Sequence, residues 1–337
     1  MAQDAFLSGR STANASSHFK GKLENVRSLV TILKAISFKD KANCVINRQG
    51  IQFIVEESKA SQARTQIRES HFREFLFPRS RLGSPNDDDS GDIDSEICFC
   101  IELPTLLDCL TIFGGTSAIP YSLSTGGNDG GHRAHAHGGF FGASQIQDSQ
   151  NGGLGKDRDR VAVRVICPLD GDHLSLMLEE RGVVTECRLT TYNPEALTDL
   201  FATFAEQRMV SKLIMKSDWL RDAFSELDGT SDTITLHISP DAPYFRLSAS
   251  SLAGDAQMDY PKDTDVIESF HCLHPIENHY QHTLLQSCLK ALSLSSKTSI
   301  RVNEAGFLSM QFMINVNEKD IEFVEYLISP IADWEND

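Results

Sequence analysis

At 337 residues and 37.4 kDa the chain has room for two or three domains with a sizeable core, and 40% hydrophobic against 23% charged residues excludes the composition of an unfolded protein. Its 31 basic and 47 acidic side chains leave a formal charge of −16, which excludes a protein held to nucleic acid by overall charge. The first 80 residues sum to +6 and the remainder to −22, so a local basic face on an acidic body stays open. Eight dispersed cysteines without a C-x-x-C pair read as reduced thiols. No charged segment followed by an apolar stretch opens the chain, and no apolar run approaches the ~18 residues of a membrane span. A soluble, intracellular protein is expected.

The first amphipathic segment is Leu23 to Ile36, with Leu23, Val26, Leu29, Val30, Leu33 and Ile36 on one stripe and Arg27, Thr31 and Lys34 opposite. ANCVIN and IQFIVEE follow as strands, joined by a turn at Asn47 to Gly50. A second helix is predicted from Leu103 to Phe113 with Pro104 in its first turn, and VAVRVIC, HLSLMLEE and VVTECRLT follow after an interruption. Ser217 caps a third predicted helix, Asp218 to Leu227, with Leu220, Phe224 and Leu227 inward, ahead of the strands TITLHIS and YFRLSAS. A fourth, Leu284 to Leu294, precedes TSIRV, FLSMQFMI and IEFVEYLI, and the alternation of Leu308, Met310, Phe312 and Ile314 marks one buried sheet face. Hairpins imply antiparallel sheet. Four helix-then-strands units in one chain suggest a duplicated two-helix domain with its midpoint near Tyr192 to Phe204.

Between these units lie a Gly/Ser/Asn/His-rich stretch from Gly114 to about Arg160, read as a disordered insert, and an acidic break, SPNDDDSGDIDSE. Asp92, Asp94 and Glu96 resemble a fragment of a two-metal nuclease site, without a further set of acids to complete it. His132, His135 and His137 fall in the insert, and Cys272, His274, His279 and His282 match no usual zinc spacing. No phosphate-binding glycine loop and no nucleophile elbow occurs. Neither a catalytic residue nor a metal or other cofactor is expected, and from pattern alone the chain is a duplicated α+β protein.

The segments LENVRSLVTILKAISF, LLDCLTIFGG, LRDAFSELD, SPDAPYFRLS, DYPKDTD and TSIRVNEAGFLSMQFMI, in this order and spacing, closely resemble the Rad-one family of checkpoint sliding-clamp subunits. These belong to the nine-one-one complex, a heterotrimeric relative of PCNA, and the resemblance covers about Phe19 to Pro330 apart from the insert and the break. It implies an α+β sliding-clamp fold of two similar domains, each with two helices packed on antiparallel sheet. The expected division is a flexible N-terminus (1–18), a first clamp domain (19–191, insert about 114–160), a connector (192–204), a second clamp domain (205–331) and a tail (332–337).

The implied function is that of a non-enzymatic subunit of a heterotrimeric ring that encircles double-stranded DNA at damage sites and supports checkpoint signalling and repair-enzyme recruitment. Implied partners are the Rad-nine and Hus-one subunits, an RFC-like loader containing Rad-seventeen, DNA bound without sequence preference, and repair enzymes on the outer face; the implied compartment is the nucleus, with no membrane partner. In such a ring the helices face the DNA, which assigns Arg27 and Lys34 on the first helix, Lys216 and Arg221 at the third, and Lys290 and Lys297 at the fourth to the inner surface. The second helix offers only Thr105, Asp108 and Thr111 there. Leu197, Leu200, Phe201 and Phe204 in the connector either dock partners or merely cover the domain junction. Two alternatives remain open: a 3′-to-5′ exodeoxyribonuclease, an activity attributed to some members of this family, and a PCNA-like homotrimeric processivity clamp.

Overall fold

The computed structural model describes residues 18–78, 96–112, 161–180, 182–227, 231–252, 254–262, 265–316 and 320–332. Outside them lie nearly all of the N-terminal segment, the acidic break, the insert and the tail, and with them Asp92, Asp94, His132, His135 and His137.

Strand β1 (His18–Leu23) leads into α1 (Val26–Ala35), whose start is set by Asn25: its side-chain oxygen accepts a hydrogen bond from the Arg27 N–H at 3.0 Å. Val26, Leu29, Val30 and Leu33 are buried, as their spacing predicts, while Leu23 closes β1 rather than opening the helix. β2 (Lys41–Asn47), β3 (Gly50–Glu57) and β4 (Ser61–Arg68) form a meander. At its first turn Gly50 has φ +144°, and a Cβ there would lie 2.0 Å from the Ile67 carbonyl oxygen, so the pairing of β3 with β4 admits only glycine. β5 (Glu74–Leu76), β6 (Ile97–Glu102), α2 (Leu103–Leu110), β7 (Ala162–Pro168), β8 (His173–Glu180) and β9 (Val183–Thr190) complete the first half.

After an extended stretch and the short helix α3 (Leu200–Glu206), the second half runs β10 (Met209–Lys216), α4 (Ser217–Glu226), β11 (Thr233–Ile238), β12 (Phe245–Ser251), β13 (Gly254–Tyr260), β14 (Ile267–Cys272) and β15 (Ile276–Gln281). It ends with α5 (His282–Gln286), α6 (Leu289–Leu294), β16 (Ser295–Asn303), β17 (Leu308–Asn315) and β18 (Ile321–Ile328). A strand, a helix and three strands thus recur four times, beginning at β1, β6, β10 and β15, with the helix of the last unit split into α5 and α6. The opening strands β1, β10 and β15 are absent from the sequence reading, as are β13 and β14.

All pairings among the described strands are antiparallel and give three sheets: β5-β1-β7-β8-β9, β14-β10-β16-β17-β18-β4-β3-β2-β6, and β13-β12-β11-β15. The nine-stranded sheet crosses from one half to the other where β4 meets β18, in register from Thr65↔Val324 to Ser61↔Ile328. Leu308, Met310, Phe312 and Ile314 of β17 are all buried against the helices. Beneath the seam Tyr326 is fully buried, and its hydroxyl donates to the Ala35 carbonyl at 2.7 Å and the Ser287 carbonyl at 3.2 Å, tying α1 and the break between α5 and α6 to one strand.

Two helix expectations need correction. The predicted fourth helix is broken at Ser287 and Cys288, where the Ser287 hydroxyl donates back to the Leu284 carbonyl at 2.6 Å. Ser217 does not cap α4; its hydroxyl is buried, 2.8 Å from the Thr298 hydroxyl and 2.7 Å from that of Ser295, so the residue fastens the helix start to β16.

Candidate nucleic-acid interface

The helices lie side by side on the sheets. α1 packs against α2 on one side and α6 on the other, and α6 packs against α4, which gives one layer in the order α2, α1, α6, α4 across both halves. Its solvent side carries basic residues on α1 and α6, three acids on α4 and a single Asp108 on α2. Lys34 is exposed in the last turn of α1, and Lys290 reaches from α6 to the end of the same helix, donating to the Ser37 carbonyl and lying 3.3 Å from the Ser37 hydroxyl. Arg27 sits higher on α1, half-buried, with its Nε buried and without a hydrogen-bond partner. The structure thus brings Lys290 to the Lys34 end of α1 from a distant stretch of sequence, while Arg27 lies seven residues earlier on the same helix.

The other three do not join them. Arg221 is held between Asp218 at 2.8 Å and Asp222 at 3.2 Å on its own helix, so its charge is largely cancelled locally. Lys216 ends β10 and Lys297 lies opposite it on β16, on the sheet face away from the helices, with Lys297 2.8 Å from Glu268. The expectation for Lys297 failed because the helix stops at Leu294: Thr298, Ile300 and Val302 point into the core and Lys297 points the other way.

On that opposite face the connecting segment is fastened residue by residue. Tyr192 pairs with Cys100 through two 2.8 Å backbone bonds. Asn43 then donates to the Glu195 carbonyl at 2.7 Å and accepts from its N–H at 3.1 Å, while Glu56 accepts from the Thr198 N–H at 3.0 Å. Leu197 lines a cavity of about 460 Å³ beside Lys41, Asn43, Ile54, Glu56 and Glu195. Of the other docking candidates, Leu200 is buried and unavailable to a partner. Phe201 lies under the Arg64 guanidinium, 3.7 Å from its ring centre, and Phe204 is 6.0 Å from Arg301. Arg64 from the first half and Arg301 from the second both bind Glu325 of β18, Arg64 at 2.8 Å, and this three-residue lock under α3 was not foreseen. The cross-strand register of β4 with β18 is the signal that would have revealed it, and register is not readable from isolated strands.

The chemistry-bearing residues of the zinc-like spacing are used elsewhere. His282 is buried with its Nδ1 2.9 Å from the Ser231 carbonyl, His279 pairs with the Thr235 hydroxyl at 2.8 Å, and the Cys272 thiol donates to the His274 carbonyl at 3.1 Å.

Two sheet edges complete the surface. β9 ends the five-stranded sheet with Val183 and Val184 exposed, and α2 beside it leads to an exposed Ile112. β13 ends the four-stranded sheet, and the Tyr260 hydroxyl donates to the Trp219 carbonyl at 3.3 Å, which seats the start of α4 against that edge with the Trp219 ring exposed. A strand with one side unpaired is a template for another chain.

A family model described as Repair protein Rad1/Rec1/Rad17 matches residues 18–314. The chain belongs to this family. It is 38% identical over 308 residues to the mouse protein named Cell cycle checkpoint protein RAD1, covering 91% of this chain and 90% of that one. It is 28% identical over 316 residues to DNA damage checkpoint control protein rad1 of Schizosaccharomyces pombe, covering 93% and 86%. Family membership establishes a role in the DNA damage checkpoint and the sliding-clamp fold for the architecture described above. One expectation is overturned. The Mycosarcoma maydis relative, 29% identical over 310 residues and covering 77% of this chain and 65% of its own, is named DNA repair exonuclease REC1. A nuclease name inside the Rad1/Rec1/Rad17 family contradicts the reading of this chain as non-enzymatic.

Proposed function

We propose that this Rad1-family chain is one subunit of a three-membered ring that encircles double-stranded DNA in the nucleus at sites of damage. The observation that carries the reading is the unbroken helix layer, basic at its centre in Arg27, Lys34 and Lys290 and bounded by two sheets with uncovered edges. Ring closure through β9 and β13 satisfies those edges, and it turns the helices inward and the nine-stranded sheet outward. Contacts to DNA then go to phosphates, so binding is independent of sequence and weakened by salt. The partners are Rad-nine and Hus-one subunits, an RFC-like loader containing Rad-seventeen opens the ring, and repair enzymes dock on the outer face at the cavity beside Leu197 and over Phe201 and Phe204.

Co-expression with Rad-nine and Hus-one subunits, followed by sizing with light scattering, tests this. The expected product is a stoichiometric complex of three different chains; a stable homotrimer of this chain alone would instead favour a PCNA-like processivity clamp.

The name of the Mycosarcoma maydis relative supports a second reading, 3′-to-5′ exonuclease activity. Metal-dependent release of nucleotides from 3′ ends that co-purifies with this chain, and is lost on replacing Asp92 and Asp94 by alanine, would assign the activity here.

A further inference from the structure

The two edges through which the ring is proposed to close, β9 and β13, are chemically unlike. Along β13 the side chains on the outer face are Asp255, Gln257 and Asp259, all exposed, and the exposed side of the adjoining α4 carries Asp218, Asp222 and Glu226. Five carboxylates therefore flank this edge, against two guanidiniums. Arg221 is shared by Asp218 and Asp222, and Arg246 is committed to Asp259 through bonds of 2.6 and 2.9 Å. Lys262, just past the strand, turns away to the Tyr244 and Phe270 rings, 5.9 and 5.3 Å from their centres. The acids are close enough to Tyr260 to act on it: burial, then Glu226 and Asp222, push its hydroxyl up to about 12. Amid this charge Trp219 is 46% exposed, and Leu252 stands fully out at the turn into β13. An aromatic side chain in a charged rim with an unpaired strand beside it has the composition of a binding hot spot.

The β9 edge has neither feature. Val183 and Val184 are 59% and 55% exposed, and the exposed charges on β9 and α2 are Glu186, Asp108 and a single Arg188, whose guanidinium is 3.2 Å from His173. A second copy of this chain would thus bring an edge whose exposed charges are two carboxylates and one arginine to meet five carboxylates, and that excess of negative charge disfavours the pairing.

Resting on the ring reading above, we infer that the β13 and α4 edge takes a strand from a different subunit, one that carries lysine or arginine along its outer face and an apolar recess for Trp219. The β9 edge takes an apolar strand whose recognition is nearly independent of charge. The edges are thereby addressed to two different neighbours, and the acidic one excludes self-association.

Pairwise binding of the full chain to each of the two other subunits, measured separately by sedimentation or interferometry, tests this. One partner should lose affinity roughly tenfold or more between about 50 and about 500 mM salt while the other changes little. The double substitution Asp222→Lys and Glu226→Lys should abolish binding of the salt-sensitive partner alone, and Val184→Glu on β9 should weaken the other alone, which also shows that each variant is folded. If both partners bind and neither responds to the charge reversal, this inference fails and the ring reading stands. If the unaltered chain binds neither, the ring reading fails as well.

Discussion

Glu322 is a carboxylate placed where the two halves meet, 7% exposed, with its oxygen 2.9 Å from Nδ1 of His71 just beyond the end of β4. Burial raises it to about 7, with Asp320 adding to the rise and Arg68 opposing it, while burial and then Arg68 push His71 below its ordinary value. Desolvation acts on both against charge, so it favours the protonated carboxyl of Glu322 and the neutral imidazole of His71. The folded chain keeps on Glu322 a proton that the unfolded chain releases above about 4.5, so this residue's contribution falls as pH rises from there through 7; His71 acts in the opposite sense, losing stability as pH drops below 6.5. Glu322→Gln removes the first effect and keeps a hydrogen-bonding partner for His71. The variant should gain on the unaltered chain as pH rises from 5 to 7.5, by roughly 1–2 kcal/mol or a few degrees in Tm. Thermal melts across that range check it, and a gap that stays constant with pH would refute the assignment. Nothing in the local sequence marks Glu322, because its partner lies 251 positions away across the seam.

At the level of elements, legibility followed burial. β17 announces itself by strict alternation because one of its faces lies under the helices, and α1 by its stripe for the same reason. β13, GDAQMDY, alternates Asp255, Gln257 and Asp259 with Ala256, Met258 and Tyr260, but as an edge it buries only Tyr260 fully and carries no β-branched residue, and it is absent from the sequence reading together with β10, β14 and β15. The helix in the fourth unit was read as continuous because Leu285, Cys288, Leu289 and Leu292 keep helical spacing through the break. α3 is the α-helix least supported by burial among the described residues: of its seven residues only Leu200 is buried, and Phe201 and Phe204 rest on the arginines that share Glu325. Phe201→Ala takes away a cation–π contact of ~0.5–1 kcal/mol and part of a ring's buried area. Amide exchange should then rise several-fold across Leu200 to Glu206 while the Tm moves by no more than about two degrees. A large global loss would mean that α3 is part of the cooperative core rather than a strap lying on it.

Across the whole molecule, charge is sorted by position rather than by amount. A chain of formal charge −16 can still act on DNA if its few cations converge, and Lys290 meets the Lys34 end of α1 where α1 of the first half packs on α6 of the second, with Arg27 further along α1. The acids gather at one end of the layer, on α4 in Asp218, Asp222 and Glu226, with a single Asp108 on α2 at the other, and in a closed ring these ends lie next to neighbouring subunits. Sequence reading found the basic residues but could not separate those that converge from Lys216 and Lys297, since that depends on which sheet face each strand residue takes. Lys34→Glu with Lys290→Glu therefore probes the centre of the layer without touching either edge. In the assembled ring the double variant should keep its stoichiometry and lose DNA affinity roughly tenfold or more at about 0.1 M salt, equally on unrelated sequences, with a shallower salt dependence because fewer counterions are released. Fluorescence anisotropy on duplexes of two sequences over a salt series measures all three. Unchanged affinity would show that another surface holds the DNA, whereas loss of the ring itself would mean that the bond from Lys290 to Ser37 joins the halves more strongly than one exposed contact should.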